Sequence, residues 1–400
     1  MTNNKKLNIL FFGVFPTKVD GPIGGIESSI LGICNELSKS NKISIIAFPK
    51  VNLKKDFERS FSFGRVYYLK NYFKFHFFSF TRIFNIIKLV KKISPNIVHI
   101  HGTGNIQFLL FITLKILNIP SILTVHGILS VELKNIYNRR KNLKNLLKYY
   151  VISFIEKAFF YFNTDFLVNT EYVKNKVIDL SFNKFLNVNS PKKFTIIPQG
   201  IDNLFFDLTN TNKSQNKLFI SVGSISERKG HLVTIKIFKQ IIKEFNNVRL
   251  IIAGKLLDDD YYHKLKSEII SLKSKDAIQL LVDIERSELL DLYKEANFFV
   301  LHSEEESQGI VFCEAMALGL PIISTNVGGV PSIVKNLRNG LISDYNNKID
   351  FKKNIISLLN SKHLQEELKL NNISDSFLYR WDNISKTVFR AYLDILKRYI

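Results

Sequence analysis

Four hundred residues exceed the usual size of a single domain, so two domains of ordinary size are expected. Hydrophobic residues make up 46% of the chain and aromatics 12%, which supports a large core and excludes global disorder. The formal net charge of +21 points to anionic partners, whether phosphorylated substrates, nucleic acid or an acidic membrane surface, although Lys, Asn, Ile and Phe are abundant together and part of the charge reflects that bias.

The run Leu7 to Phe15 follows Lys5-Lys6 and resembles the start of a signal peptide, yet it lacks a small-x-small cleavage site and leads into Pro16 and a glycine loop. It is predicted as a first buried strand. The loop Gly21-Pro-Ile-Gly24-Gly25-Ile-Glu27 then precedes a helical pattern over Ser28 to Leu37. A strand, a glycine loop and a helix bring backbone N–H groups close to a phosphate; a plain tight turn has the same residues. Further strands are expected at Ile43 to Phe48, Arg65 to Leu69, Ile97 to Ile100 and Ser121 to Val125, with a loop and amphipathic helix over Tyr72 to Lys92. Ile106 to Val125 is apolar, but Lys115, Asn118 and Pro120 interrupt it, so a buried helix and a strand are predicted rather than a membrane span.

His99 and His101 close one predicted strand and His126 another, at the sheet edge where open parallel sheets bind ligands. His126 is the stronger candidate of the three. Asn135 to Phe162 reads as one long helix with Arg139, Arg140, Lys141, Lys144 and Lys148 on its first half and aromatic residues on its second. Two readings stand: a domain helix with a solvated basic end, or a segment lying on an anionic membrane surface. A strand at Asp165 to Asn169, a helix at Glu171 to Leu180 and a strand at Phe194 to Ile197 complete the first half, and the polar stretch Asp207 to Lys217 is the expected linker.

Alternation then restarts with strands at Leu218 to Val222, Arg249 to Ala253, Ile278 to Leu281 and Phe298 to Leu301, separated by helices at His231 to Phe245, Tyr261 to Leu272 and Glu288 to Glu295. Strands alternating with helices in both halves predict an α/β chain of two facing, doubly wound parallel-sheet domains, with ligands in the cleft between them. At one strand-to-helix turn, Gly223 to Gly230 joins glycines to Arg228 and Lys229, a phosphate site or a charged surface turn.

The most informative run is His302 to Pro331, HSEEESQGIVFCEAMALGLPIISTNVGGVP, with Glu306 and Glu314 eight positions apart around Gly309. A helix starting near Gln308 or Gly309 would bury Val311, Phe312, Ala315, Met316 and Leu318 and turn its first N–H groups to the loop, an anion site. Carboxylates beside such a start suit the paired hydroxyls of a ribose and a hexose. An ordinary helix whose Glu304, Glu305 and Glu306 offset the dipole, at about 0.3 to 1 kcal/mol each, is the competing reading. Cys34 and Cys313 lie far apart in apolar helical patterns and read as reduced core thiols, in keeping with a cytoplasmic location; peripheral association at the inner membrane face is the further expectation.

Taken together, these motifs resemble the retaining glycosyltransferases of the two-Rossmann-domain (GT-B) type, family 4 or group 1. The resemblance runs through Gly24-Gly25, PNIVHIHG at 95–102, TVHG at 124–127, IPQGID at 197–202, VGSISERKGH at 222–231, IIAG at 251–254, and the Glu306-x7-Glu314 run with EAMALGLP and GGVP. It implies an acceptor-side domain over 1–200, a nucleotide-sugar-binding domain over 217–375, and a closing helix from about 376 to 400, including RWDNISKTVFRAYL, that packs back on the first domain. By that similarity Glu306 contacts the donor hexose and Glu314 the ribose. Gln308, Gly309, Ile310 and Val311 meet sugar and phosphates through their backbone. Gly24 and Gly25 meet the diphosphate, Lys229 the phosphates, and His126 the reacting sugar.

The chain departs from the family pattern at Ser224, where Arg is usual and Arg228 is the substitute at hand, and at Val282, Ser332 and His302. The implied activity is hexosyl transfer from a nucleotide diphosphate-sugar to a saccharide or lipid-linked acceptor in bacterial cell-surface polysaccharide biosynthesis. No Asp and His cluster has metal-ligand spacing, so neither metal nor cofactor is expected, and helix N-termini with Lys229 or Arg228 would stabilise the leaving diphosphate. A nucleotide-sugar epimerase shares the architecture and is the alternative. A nucleic-acid-binding protein is motivated by charge alone and lacks an aromatic RNA-binding signature or recognition helix, so no nucleic-acid partner is expected.

Overall fold

The computed structural model describes residues 6–17, 24–49, 53–70, 80–139, 141–181, 192–206, 217–271 and 277–399. Of the expected linker Asp207 to Lys217, residues 207–216 lie outside the described residues, as do Gly21, Tyr72 and Arg140, while Lys217 already belongs to a strand. The chain divides into two compact units, residues 1–199 with 381–400, and residues 200–380.

In the first unit the strands are β1 (Asn8–Gly13), β2 (Lys42–Ala47), β3 (Phe57–Phe61), β4 (Gly64–Tyr68), β5 (Ile97–His101), β6 (Ser121–Val125), β7 (Asp165–Val168) and β8 (Lys193–Ile196). They form one sheet in the order β3-β4-β2-β1-β5-β6-β7-β8, parallel throughout except where β3 pairs antiparallel with β4. Both faces are covered, which is why the central strands read as unbroken apolar runs. Ile9 and Phe11 point to the face covered by helices Gly25–Leu37 and Trp381–Leu396. Leu10 and Phe12 point to the other, covered by helices Phe80–Ile93, Asn105–Ile116, Leu143–Phe162 and Glu171–Leu180.

The second unit holds β9 (Lys217–Val222), β10 (Val248–Gly254), β11 (Ile278–Val282), β12 (Phe298–Leu301), β13 (Ile322–Thr325) and β14 (Gly340–Ser343), all parallel in the order β11-β10-β9-β12-β13-β14. Leu218, Ile220 and Val222 pack towards helices Arg286–Glu295 and Ile310–Ala317, while Phe219 packs towards helices His231–Glu244, Asp259–Ile270 and Lys348–Asn360. In each unit the strand order reverses beside the first strand, between β1 and β5 and between β9 and β12. The carboxyl ends at those reversals are where a doubly wound sheet opens a crevice for ligands.

One expectation needs correction, and two strands escape the sequence pattern. The segment 135–162 is not one helix but two, Leu129–Arg139 and Leu143–Phe162, because Asn142 adopts an extended backbone and its side chain accepts from the Asn145 amide, capping a new helix. Strand β3 carries no apolar alternation, since Glu58, Arg59 and Ser60 are all exposed on the sheet edge, and the pattern reading passed over it. Strand β14 is only four residues long and begins at Gly340, too short for periodicity to register.

Candidate active site

The second unit brings two loops together at its strand-order reversal. One follows β9 and contains a short 3-10 turn, Glu227–Lys229; the other follows β12 and runs from His302 to Gly309. They are laced by backbone contacts, the Glu304 amide donating to the Arg228 carbonyl at 2.8 Å and the Arg228 guanidinium donating to the Glu305 carbonyl at 3.2 Å. At their centre the Lys229 ammonium is ion-paired with Glu306 Oε1, both side chains almost wholly removed from solvent. Ser303 Oγ donates to the same carboxylate oxygen at 2.8 Å.

Burial alone would push the Glu306 carboxyl up. The Lys229 ammonium, the Arg228 guanidinium and the hydrogen bonds from Lys229 and Ser303 together outweigh it and hold the group below the ordinary carboxylate range. Glu306 is therefore a buried, fixed anion at neutral pH.

Two glycines set that position. Gly328 has φ +51°, and a Cβ there would stand 2.1 Å from the Glu306 carbonyl oxygen, while the next amide, Gly329, donates to that same oxygen at 2.7 Å. Gly309, at φ +80°, precedes the helix Ile310–Ala317, and no side chain caps its N-terminus. A Cβ at Gly309 would meet the Phe312 ring at 2.6 Å and sit 3.8 Å from the Glu306 carboxyl carbon. Gly309, Ile310 and Val311 are half-buried there, and the first N–H groups of an α-helix have no intrahelical partner, which makes this helix start a candidate anion site. Gln308, by contrast, is buried and its amide nitrogen lies 3.7 Å from Cys313 Sγ.

Glu314 has a different environment. The Tyr293 hydroxyl donates to Glu314 Oε2 at 3.1 Å, and Arg286, itself paired with Asp202 at 2.9 Å, lies near enough to act on its charge. Burial pushes the Glu314 carboxyl up to about 7, against the pull of Arg286 and the Tyr293 hydrogen bond and with the help of Asp202. Tyr293, Arg286, Ser303 and Asp202 were not singled out in the sequence. The available signals were Asp202 at the end of IPQGID, Ser303 within the His302 to Pro331 run, and Tyr293, a lone aromatic in RSELLDLYKE.

In the first unit, Gly24 caps and Gly25 opens the helix Gly25–Leu37, with no side-chain cap, and the Gln199 side-chain amide donates to the Gly25 carbonyl. The histidines separate into roles. His99 is wholly buried and bridges the Tyr392 hydroxyl and Thr124 Oγ1, both at 2.6 Å, so it is a packing residue of the C-terminal helix contact. His101 Nδ1 and His126 Nε2 share one hydrogen bond of 2.9 Å. Burial lowers His126 to about 4 and His101 well below its ordinary value, leaving a neutral imidazole pair. Among the described residues no group of three or more His, Cys, Asp or Glu side chains has an arrangement that would hold a metal ion.

With this geometry in hand, comparison with known families is decisive. Residues 23–203 match the family described as Glycosyltransferase Family 4, and residues 206–375 match Glycosyl transferases group 1. The chain belongs to the group 1, family 4 type of glycosyltransferase. Among its relatives, an uncharacterised glycosyltransferase of Methanocaldococcus jannaschii is 28% identical over 70% of each chain. The capsular polysaccharide biosynthesis glycosyltransferase CapM of Staphylococcus aureus is 30% identical over 56% of this chain and 60% of its own. HepE of Anabaena, solved with UDP-glucose, superposes with a TM-score of 0.68 at 15% identity, covering 96% of this glycosyltransferase and 99% of HepE, and so shares the GT-B fold. The Glu306 and Glu314 loop and the Lys229 turn both fall inside the group 1 match, and Gly24, Gly25 and His126 inside the family 4 match.

Proposed function

We propose that this glycosyltransferase moves a hexose, with retention at the anomeric carbon, from a nucleotide diphosphate-sugar to a saccharide or lipid-linked saccharide in bacterial cell-surface polysaccharide assembly. One observation carries the reading: a buried Lys229–Glu306 pair set against the uncapped start of helix Ile310–Ala317. A cation, free helix N–H groups and an ionised carboxylate within one loop match the three parts of such a donor, its diphosphate, its leaving oxygen and its sugar hydroxyls. UDP-glucose bound to HepE and the capsular role in the name of CapM agree with that donor and product class.

In this scheme the anomeric C–O bond breaks with its electron pair leaving on the diphosphate, and the acceptor hydroxyl oxygen bonds the same carbon on the same face as its proton passes to the departing diphosphate oxygen. Negative charge on the leaving oxygen is met by the amides at Gly309 to Val311 and by Lys229, with Arg228 beside it. Glu306 accepts hydroxyl hydrogen bonds from the hexose and faces the positive charge that develops on its ring. Glu314 takes the ribose hydroxyls. In the first unit, Gly24 and Gly25 offer backbone N–H to phosphate, and His126, a neutral imidazole, serves a sugar hydroxyl.

A panel of nucleotide-sugars, screened for thermal stabilisation of the protein, identifies the donor, because binding to the native state alone raises the melting temperature. One member of the panel is expected to raise it and to be consumed when acceptor is supplied. Replacing Glu306 by Ala is expected to abolish transfer, and equal turnover by the purified variant and the parent protein would remove Glu306 from the site.

A further inference from the structure

We propose that the amino-terminal half of helix Leu143–Phe162 is a docking face for an anionic bilayer, lying in the plane of the lipid headgroups. Leu143, Leu147, Tyr150 and Phe154 are 70%, 57%, 62% and 65% exposed, respectively. At 3.6 residues per turn the four fall within about 60° of one another, a single stripe roughly 16 Å long. No other helix of the described residues presents four large apolar side chains to solvent at this spacing.

The charge beside the stripe selects the occupant. Lys141, Lys144 and Lys148 are exposed along the same turns, and residues 141–155 contain no carboxylate. The first acid of the helix, Glu156, is fully buried, turned inward to accept from Thr103 Oγ1 at 2.5 Å and from the Leu129 and Ser130 amides at 2.9 Å. A second copy of the chain would oppose lysine to lysine across this face, whereas anionic headgroups supply the missing countercharge while the stripe enters the acyl boundary. No helix of the described residues is long and apolar enough to cross a membrane. In-plane binding is the mode this face supports.

The fold gives the helix the shape such a contact needs. Its carboxyl-terminal part is anchored by Phe159 and Phe160, both fully buried in the first unit, and the adjoining helix Leu129–Arg139 packs along it as an antiparallel hairpin. The stripe thus stands on a braced element, and its side chains are free to be changed without opening the core.

The test is flotation of the full chain with vesicles of phosphatidylcholine alone and of phosphatidylcholine with phosphatidylglycerol. Flotation with the anionic vesicles only, weakening as salt rises, is the expected result. The pair Leu143→Glu and Leu147→Glu is expected to lower partitioning on the order of a hundredfold by removing two apolar anchors, with an unchanged melting temperature. Lys144→Glu with Lys148→Glu is expected to abolish the preference for anionic lipid. Absence of flotation at low salt, equal flotation of the leucine variant, or a concentration-dependent dimer that this variant dissociates would each overturn the proposal. Nucleotide-sugar stabilisation, measured on the same preparations, reports the donor reading separately, so either can fail without the other.

Discussion

Glu306 and Glu314 stand on the same loop and helix but at opposite ends of the protonation scale. Lys229, Arg228 and Ser303 keep Glu306 ionised, whereas burial lifts Glu314 to about 7 with Arg286 and Tyr293 only partly opposing. Below that value Glu314 is mainly protonated, and only above it does it offer two acceptor oxygens to ribose hydroxyls. Donor affinity is therefore predicted to strengthen about tenfold between pH 6 and pH 8, the change expected when one ionisation near 7 gates binding. Titration calorimetry with a nucleoside diphosphate across that range is the measurement, and Glu314→Gln should flatten the curve. A slope of the opposite sign would show that the protonated carboxyl is the binding form. The two carboxylates were legible as a motif, and so was the cation at 229. Their direct pairing was not, because Lys229 and Glu306 are 77 positions apart and meet only through the order of β9 and β12 in the sheet. The setting of Glu314 was equally hidden, since Asp202 comes from one segment and Arg286 and Tyr293 from another, the helix Arg286–Glu295.

Elements buried on both faces were read closely. Phe298–Leu301 coincides with the strand expected from its apolar run, since a parallel strand covered by helices on both sides has no polar face to dilute the signal. Elements defined by an edge or a cap, β3 and the break at Asn142, were not, because their cause is a single hydrogen bond or a strand partner rather than a pattern. The C-terminal helix Trp381–Leu396 shows what packing adds to such a reading. It lays Trp381, Ile384, Val388, Tyr392 and Ile395 onto the first unit, and Trp381 occupies the groove left by Gly32 in helix Gly25–Leu37. A Cβ at Gly32 would stand 2.1 Å from the Trp381 ring. Gly32→Val gains a few tenths of a kcal/mol in helix propensity and costs about 1 to 3 kcal/mol or more in overpacking, so the clash wins. Chemical denaturation of the variant should show a lower midpoint, and an unchanged one would mean that the two helices separate at no cost.

At the scale of the whole molecule, both units carry histidines that folding keeps neutral. In the first, burial lowers His99 to about 3 and His126 to about 4, with His101 lowered well below its ordinary value by burial and by both neighbours. In the second, burial lowers His231 to about 4, and His302 is lowered for the same chief reason. A histidine whose folded value lies below its unfolded one binds fewer protons when folded, so the unfolded chain gains protons first as the pH drops. Its stabilising share is complete above about 6.5 and is lost as pH falls from there towards 4. At roughly 1.4 kcal/mol per unit, each strongly shifted group is worth up to about 3 kcal/mol over that window. Glu314 runs the other way, because its folded value is raised and the folded state takes up its proton first, between about 7 and 4.5. One carboxyl cannot offset three or more histidines, and Glu306, held below its ordinary range, adds to the loss once the pH passes below 4.5. Calorimetric melting is therefore predicted to shift down on the order of 10 °C between pH 7 and pH 4.5, given about 2 to 4 °C per kcal/mol for units of this size. His231→Gln should shallow the slope of the second unit and leave the first unchanged. A melting temperature that held or rose on acidification would mean that these histidines are already charged in the folded chain, with partners other than those the burial of their rings allows.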